Sequence, residues 1–256
     1  MSSQRRRKWI ATNPAEDVER ISVKRSGDLN VLSPLQVEAV ARAAENAQDA
    51  AIFTVAAFTG LRLGELRALR WADVDFASRT IIVRASYTHG APGRPKSGKI
   101  RSVPLIDQAA RALDGLSRRE HFTNADELVF ASDLGQPFDD GPLRERFYAA
   151  LARAGLGHLR KKDEPIVFHD LRHTFGTLAA ATWPLHDVQA YMGHADIQTT
   201  MLYVHHVPKA EAADQLTRAV AMATRPDDPH SERAVDPCRV NKGLGAARTW
   251  REPAQG

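Results

Sequence analysis

The chain has 256 residues, 43% of them hydrophobic, which is enough for one large domain or two small ones with a buried core. No stretch approaches the roughly 20 apolar residues of a membrane span. The basic "RRRK" near the start has no apolar region behind it, so no secretory signal is read and the protein is expected in the cytoplasm. The single cysteine, Cys238, excludes an internal disulfide and any multi-cysteine zinc site. A formal charge of +4 and a pI near 9.4 are compatible with nucleic acid but select no partner by themselves.

Residues 1–30 are polar and charged; "QRRRKWIATNPAEDVERI" has room for a short helix and "SVKRSGDLN" reads as a linker. A folded core begins at "LSPLQVEAVARAAENA", where Ser33 is a good N-cap, Pro34 suits the first helical position and Gln36 completes a capping box. "AAIFTVAAFTGL" (50–61) is too short to span a membrane and reads as a buried helix that Gly60 stops. A third helix is predicted in "RLGELRALRWADVDF". "RTIIVRAS" (79–86) is rich in β-branched residues and reads as a strand, "YTHGAPGRPKSGKI" as turns, and "RSVPL" as a short returning strand. Helices are then predicted near 107–119, 141–154, 169–182, 185–192, 196–206 and 209–223. The proline- and glycine-bearing tail after Thr224 has no periodicity and is expected to be disordered. There is no internal repeat. The fold class is mainly α with a small antiparallel β-sheet.

"FHDLRHTFGT" (168–177) poses the chemical question. His169 and His173, at i and i+4, share a helical face and have the spacing of a zinc pair. A catalytic zinc site wants a third protein ligand, and the protease helix H-E-x-x-H carries a glutamate base. Here Asp170, Leu171 and Arg172 stand between the histidines, and an arginine beside a dication is electrostatically unfavourable. His194 and His205 are available as third ligands, but no spacing argues for either. The other reading is phosphate. A phosphodiester in transition gains negative charge on its non-bridging oxygens, and guanidinium groups match it with permanently charged, bidentate donors. That chemistry wants two arginines and one or two histidines around a nucleophile. Arg172 and His169 supply half the set. "TGLRLGEL" (59–66) offers Arg62 at a helix start, and "MGHADIQTTMLYVHH" (192–206) offers His194 with Tyr203 nine residues later.

Three boxes, "TGLRLGELRALRW", "HDLRHTFGT" and "MGHADIQTTMLYVH", stand in the order and at the distances of the tyrosine recombinase, or phage integrase, family, and "PKSGKIRSVPL" resembles that family's lysine hairpin. The resemblance covers roughly 30–210. It implies that Arg62 and Arg172 hold a scissile phosphate of double-stranded DNA. His169 and His194 donate hydrogen bonds to it, with His169 the proton acceptor for the tyrosine. Lys96 is the general acid for the departing 5′ oxygen, with Lys99 and Arg101 as rivals. Tyr203 attacks to form a 3′-phosphotyrosyl bond, and Glu65 orients neighbouring groups. No cofactor or metal is implied. His173 receives no catalytic role by carry-over and is assigned packing or a local hydrogen bond; His205 and His206 match no role.

Each residue also has an ordinary structural reading. Arg62 alone would be a surface helix charge, Glu65 its i, i+3 ion-pair partner, Lys96 part of a solvated basic loop, and Tyr203 a core aromatic. Full-length members of the family carry a core-binding domain before the catalytic one. The organisation expected here is a remnant of that domain and a linker over 1–30, the catalytic domain over 31–224, and the tail over 225–256. A complete recombinase of a mobile element is expected to form a tetramer on DNA; this chain alone is expected to be a monomer. The rival readings are a type IB topoisomerase-like relaxing enzyme and a truncated protein that only binds DNA or a full-length partner.

Overall fold

The computed structural model describes residues 29–88, 90–95 and 98–204. The polar N-terminal segment, Lys96, His205, His206, the helix predicted at 209–223 and the tail after Thr224 lie outside the described residues.

Helix α1 (Pro34–Arg42) starts as its sequence predicts. Ser33 Oγ accepts from the Gln36 N–H at 3.2 Å, and Gln36 Oε1 accepts from the Ser33 N–H at 2.8 Å. Val37 and Val40 face inward. Helix α2 (Ala47–Thr59) is buried on nearly every side. It is the central post of the domain, packed by α1, by α4 (Asp107–Ser117), by α5 (Asp140–Arg153) and by α6 (Asp170–Thr182). A helix apolar all round needs neighbours all round. Phe53 meets Phe147 edge-on at 5.2 Å, and Phe168 completes the aromatic cluster 5.5 Å from Phe147. The one acid in this post, Asp49, is 1% exposed and bound by Arg146 at 2.5 and 3.0 Å.

Gly60 ends α2 in the left-handed conformation (φ 65°), the usual device for a helix stop. A Cβ here would also lie 2.4 Å from the Phe175 ring. The predicted third helix is much shorter than expected: α3 covers only Leu63–Leu66. Distant backbone claims the residues beyond Leu66. The Val129 N–H donates to the Leu69 carbonyl (2.9 Å), and the Trp71 and Ala72 N–H groups to the carbonyls of Glu127 (3.1 Å) and Ala125 (2.8 Å). A 3₁₀ turn (Trp71–Asp73) and strand β1 (Val74–Asp75) therefore replace the helix. Non-local hydrogen bonds outweigh a local preference worth tenths of a kcal/mol per residue.

The expected single sheet is two. Strands β1, β2 (Thr80–Val83) and β5 (Arg101–Pro104) form one antiparallel sheet, with Ile81 opposite Val103 and Val83 opposite Arg101. Strands β3 (Ser86–Thr88) and β4 (Ala91–Gly93) form a separate hairpin. Helices α7 (Leu185–Met192) and α8 (Ile197–Met201) close the described chain beside α6 and β5.

Candidate active site

Three arginines are held by the end of one helix. The last carbonyls of a helix have no intrahelical partners and carry its negative dipole end. At the C-terminus of α7, Arg101 Nε donates to the Tyr191 carbonyl at 2.7 Å, Arg172 Nη2 donates to the Met192 carbonyl, and Arg62 Nη2 donates to the Gly193 carbonyl at 3.2 Å. Gly193 allows this by ending the helix at φ 63°. Arg172 Nη1 reaches the Gly60 carbonyl at the end of α2, so two helix stops fix one guanidinium.

Beneath the arginines lies Glu65, its side chain fully buried. It accepts from both Arg101 terminal nitrogens at 2.8 and 2.7 Å, from Arg62 Nη1 at 3.1 Å and from the Arg62 N–H at 2.8 Å. Burial alone would raise its pKa, but the bonds and charges of Arg101 and Arg62 hold it below the usual carboxylate range. Three guanidinium groups around one carboxylate leave the cluster with an excess of positive charge. Arg172, 3% exposed, shows the strain: burial, then Arg62, push its pKa down to about 9. It is still charged at neutral pH.

His194 sits at the same helix end. Its Nδ1 lies 2.9 Å from Thr200 Oγ1, the first-turn side of α8 being anchored by Asp196, which accepts from the Gln198 N–H. Burial, then Arg172, Arg62 and Arg101, push the imidazole down to about 3, so the ring is neutral at pH 7. Tyr203 lies under it, rings 6.2 Å apart and nearly parallel at 15°. Tyr203 is 2% exposed and its ring lies against Gly176 of α6. Burial pushes its hydroxyl up to about 12 against the pull of Arg172 and Arg62, so it is protonated at neutral pH.

The structure thus gathers Arg62, Glu65, Arg172, His194 and Tyr203. His169 is the exposed residue just before α6, its ring 5.3 Å from that of His173 and perpendicular to it. Two residues matter more than the sequence suggested. Arg101 entered only as a rival to Lys96, yet it is the main partner of Glu65. Strand alternation was the available signal, since Arg101 shares the inward face with Val103 and Leu105. His173 was assigned packing or a local bond. Its Nδ1 lies 3.0 Å from the hydroxyl of Tyr203, thirty positions away in sequence.

The phage integrase family matches residues 30–210. The tyrosine recombinase XerC of Xanthomonas axonopodis pv. citri is 33% identical over 159 residues, 62% of this chain and 47% of that one. The crystal structure of XerA recombinase superposes with a TM-score of 0.54 at 27% identity, covering 75% of this chain and 66% of that one. The integrase of the Tn1549 transposon, solved with transposon right end DNA, gives 0.61 at 22% identity, covering 82% and 72%, a likeness of fold. The chain spans about half the length of the curated relatives it matches first. With the match spanning most of the chain and the same fold around its basic cluster, this protein belongs to the phage integrase family, the tyrosine recombinases.

Proposed function

We propose that residues 31–224 are the catalytic domain of a site-specific DNA recombinase, which cuts and rejoins duplex DNA through a 3′-phosphotyrosyl link. The observation that supports this best is the convergence of Arg62 and Arg172 on the carbonyls that end α7, with His194 and the Tyr203 ring stacked beside them within reach of both arginine charges. Arg62 and Arg172 grip the non-bridging oxygens of the phosphate, and Glu65, with Arg101, fixes the guanidinium planes. His194 is neutral; with Nδ1 taking the Thr200 hydroxyl proton, its Nε2–H becomes a donor to the same phosphate. His169 adds a second donor and takes the proton of the Tyr203 hydroxyl. Tyr203 Oη attacks phosphorus, the P–O5′ bond breaks, and Lys96 protonates the departing oxygen. Guanidinium and ammonium groups supply the charge stabilisation, so the scheme needs no metal or cofactor. The phosphotyrosine conserves the phosphodiester's energy, so rejoining needs no ATP.

The partner is double-stranded DNA, of a mobile element, in the cytoplasm. Exchange between two duplexes takes a tetramer, while the chain alone is a monomer. Among the described residues no helix is long and apolar enough to cross a membrane. The test is a pool of nicked suicide duplexes, randomised around the nick, incubated with the protein in excess EDTA. A detergent-resistant adduct on a 3′ phosphate supports the reading. DNA binding with no adduct would leave only a DNA-binding protein. Relaxation of supercoiled plasmid without exchange between duplexes would favour a type IB topoisomerase-like enzyme.

A further inference from the structure

The general acid follows a strand with little support of its own. Strand β4 is exposed along its whole length, and among the described residues its strand partner is β3, with Ser86 opposite Gly93 and Tyr87 opposite Pro92. A two-stranded hairpin is marginal by itself. Lys96 comes three residues after Gly93, the end of β4. The residues flanking it are tied to each other, the Gly98 N–H donating to the Pro95 carbonyl at 2.7 Å. What holds β3 therefore governs the backbone that carries the acid.

The segment around α3 holds it. Gly64 lets the strand come close: a Cβ there would lie 2.6 Å from Ser86 Oγ and 2.8 Å from the Tyr87 carbonyl oxygen. Arg67 caps the same helix, its guanidinium over the Tyr87 ring at 4.7 Å and over the buried Phe138 ring at 5.8 Å. Asp140 Oδ1 is 3.9 Å from Arg67 Nη1, too far for a hydrogen bond. Arg67 Nε is buried and has no hydrogen-bond partner among the described residues. The side chain is held by aromatic faces instead, whose quadrupoles attract a cation. Tyr87 in turn braces its own hairpin, its hydroxyl donating to the Gly90 carbonyl at 2.8 Å. Arg67 follows Glu65 by two residues, so the segment that seats Arg62 also seats the hairpin.

We propose that Arg67 is a positioning residue for the general acid: stacked on Tyr87, it docks the β3–β4 hairpin, and so the backbone leading to Lys96, on the segment that carries Arg62 and Glu65. This rests on the reading of Lys96 as the general acid. As Tyr203 Oη bonds to phosphorus, the P–O5′ bond breaks, its electron pair stays on O5′, and O5′ takes a proton from the Lys96 ammonium. Misplacing a reacting group by about 1 Å, through a change far from the chemistry, costs about 10²-fold in rate. Arg67 acts on the transfer only through the backbone it fixes.

The test takes the sequence trapped from the nicked duplex pool and makes it with either oxygen or sulfur at the 5′-bridging position of the cut phosphate. A thiolate leaves without protonation, so only the oxygen form needs the acid. Adduct formation is measured on both for native protein, Arg67→Ala, Tyr87→Ala, Tyr87→Phe, Lys96→Ala, and Arg67→Ala combined with Lys96→Ala. On oxygen, Arg67→Ala and Tyr87→Ala should each be slower by about 10-fold or more, a share of the roughly 10²–10⁴-fold that a positioned acid supplies. On sulfur both should match the native rate. Tyr87→Phe, which keeps the ring face, should lose less than Tyr87→Ala on oxygen. Once Lys96 is gone, Arg67→Ala should cost nothing further. Tyr87→Ala alters a surface hairpin, so it reads the same docking if Arg67→Ala fails to fold. An equal loss on both substrates, or a native rate on oxygen, would show that the stack only supports the fold, and would overturn the proposal. A loss in Lys96→Ala that sulfur does not relieve would instead overturn the general-acid reading beneath it.

Discussion

Gly176 and Tyr203 should be energetically coupled, with a sign that reverses between backgrounds. Gly176 sits in the interior of α6, where glycine is normally about 1 kcal/mol worse than alanine. On propensity alone, Gly176→Ala stabilises. The new Cβ, however, would lie 2.4, 2.6 and 2.7 Å from Tyr203 Cζ, Cε1 and Cε2. No real Cβ tolerates such distances to a rigid ring, so ring or helix must shift, and overpacking of this kind costs about 1–3 kcal/mol. In the native background the two effects leave Gly176→Ala between neutral and about 2 kcal/mol destabilising. In a Tyr203→Ala background the ring is gone, and the same change should stabilise by up to about 1 kcal/mol. The coupling from the double-mutant cycle should therefore be about 1–3 kcal/mol. Urea unfolding of the four proteins measures it. Equal stabilisation by Gly176→Ala in both backgrounds would refute the docking of Tyr203 on α6.

Glu65→Ala should destabilise by about 3–5 kcal/mol in the same assay, because it strips two guanidinium groups of a buried partner; a loss under 1 kcal/mol would contradict the pairing described. Arg62→Ala and Arg172→Ala should each slow adduct formation by about 10²–10³-fold, while excess EDTA leaves the native rate unchanged. A requirement for Zn²⁺ or Mg²⁺ would return attention to the His169–His173 pair as a metal site. His194 should make the fold acid-sensitive. Its folded pKa of about 3 lies below the ordinary 6.5, so from pH 6.5 down to about 3 the unfolded chain takes up a proton that the folded one refuses. Stability from this group therefore falls as pH falls through that window, and His194→Asn should flatten the dependence of the thermal midpoint there.

Local signals were the most legible. The capping box at Ser33 and Gln36, the stop at Gly60, and the helix from Leu185 to Met192 all rest on contacts within a few residues, and all are present. The segment after Leu66 misled because its backbone bonds to residues 125–129, a pairing no local pattern announces. The site was legible in part for the same reason. Arg62, Arg172, His194 and Tyr203 stand in boxes whose residues match a family motif by motif. Arg101 and His173 take their importance from distant partners, Glu65 and Tyr203, and nothing in their own neighbourhoods states the pairing. The choice between Lys96 and Lys99 as general acid is best made chemically. A 5′-bridging sulfur leaves without protonation, so that substrate should rescue Lys96→Ala; rescue of Lys99→Ala instead would move the role.

The central claim is that Tyr203 becomes covalently bound to DNA. The direct measurement is mass spectrometry of the trapped adduct after proteolysis and nuclease digestion. The account predicts a nucleotide joined through its 3′ phosphate to the peptide that contains Tyr203, and no adduct from Tyr203→Phe at unchanged DNA affinity. A nucleotide found on any other residue, or an adduct formed by the Phe variant, would contradict it.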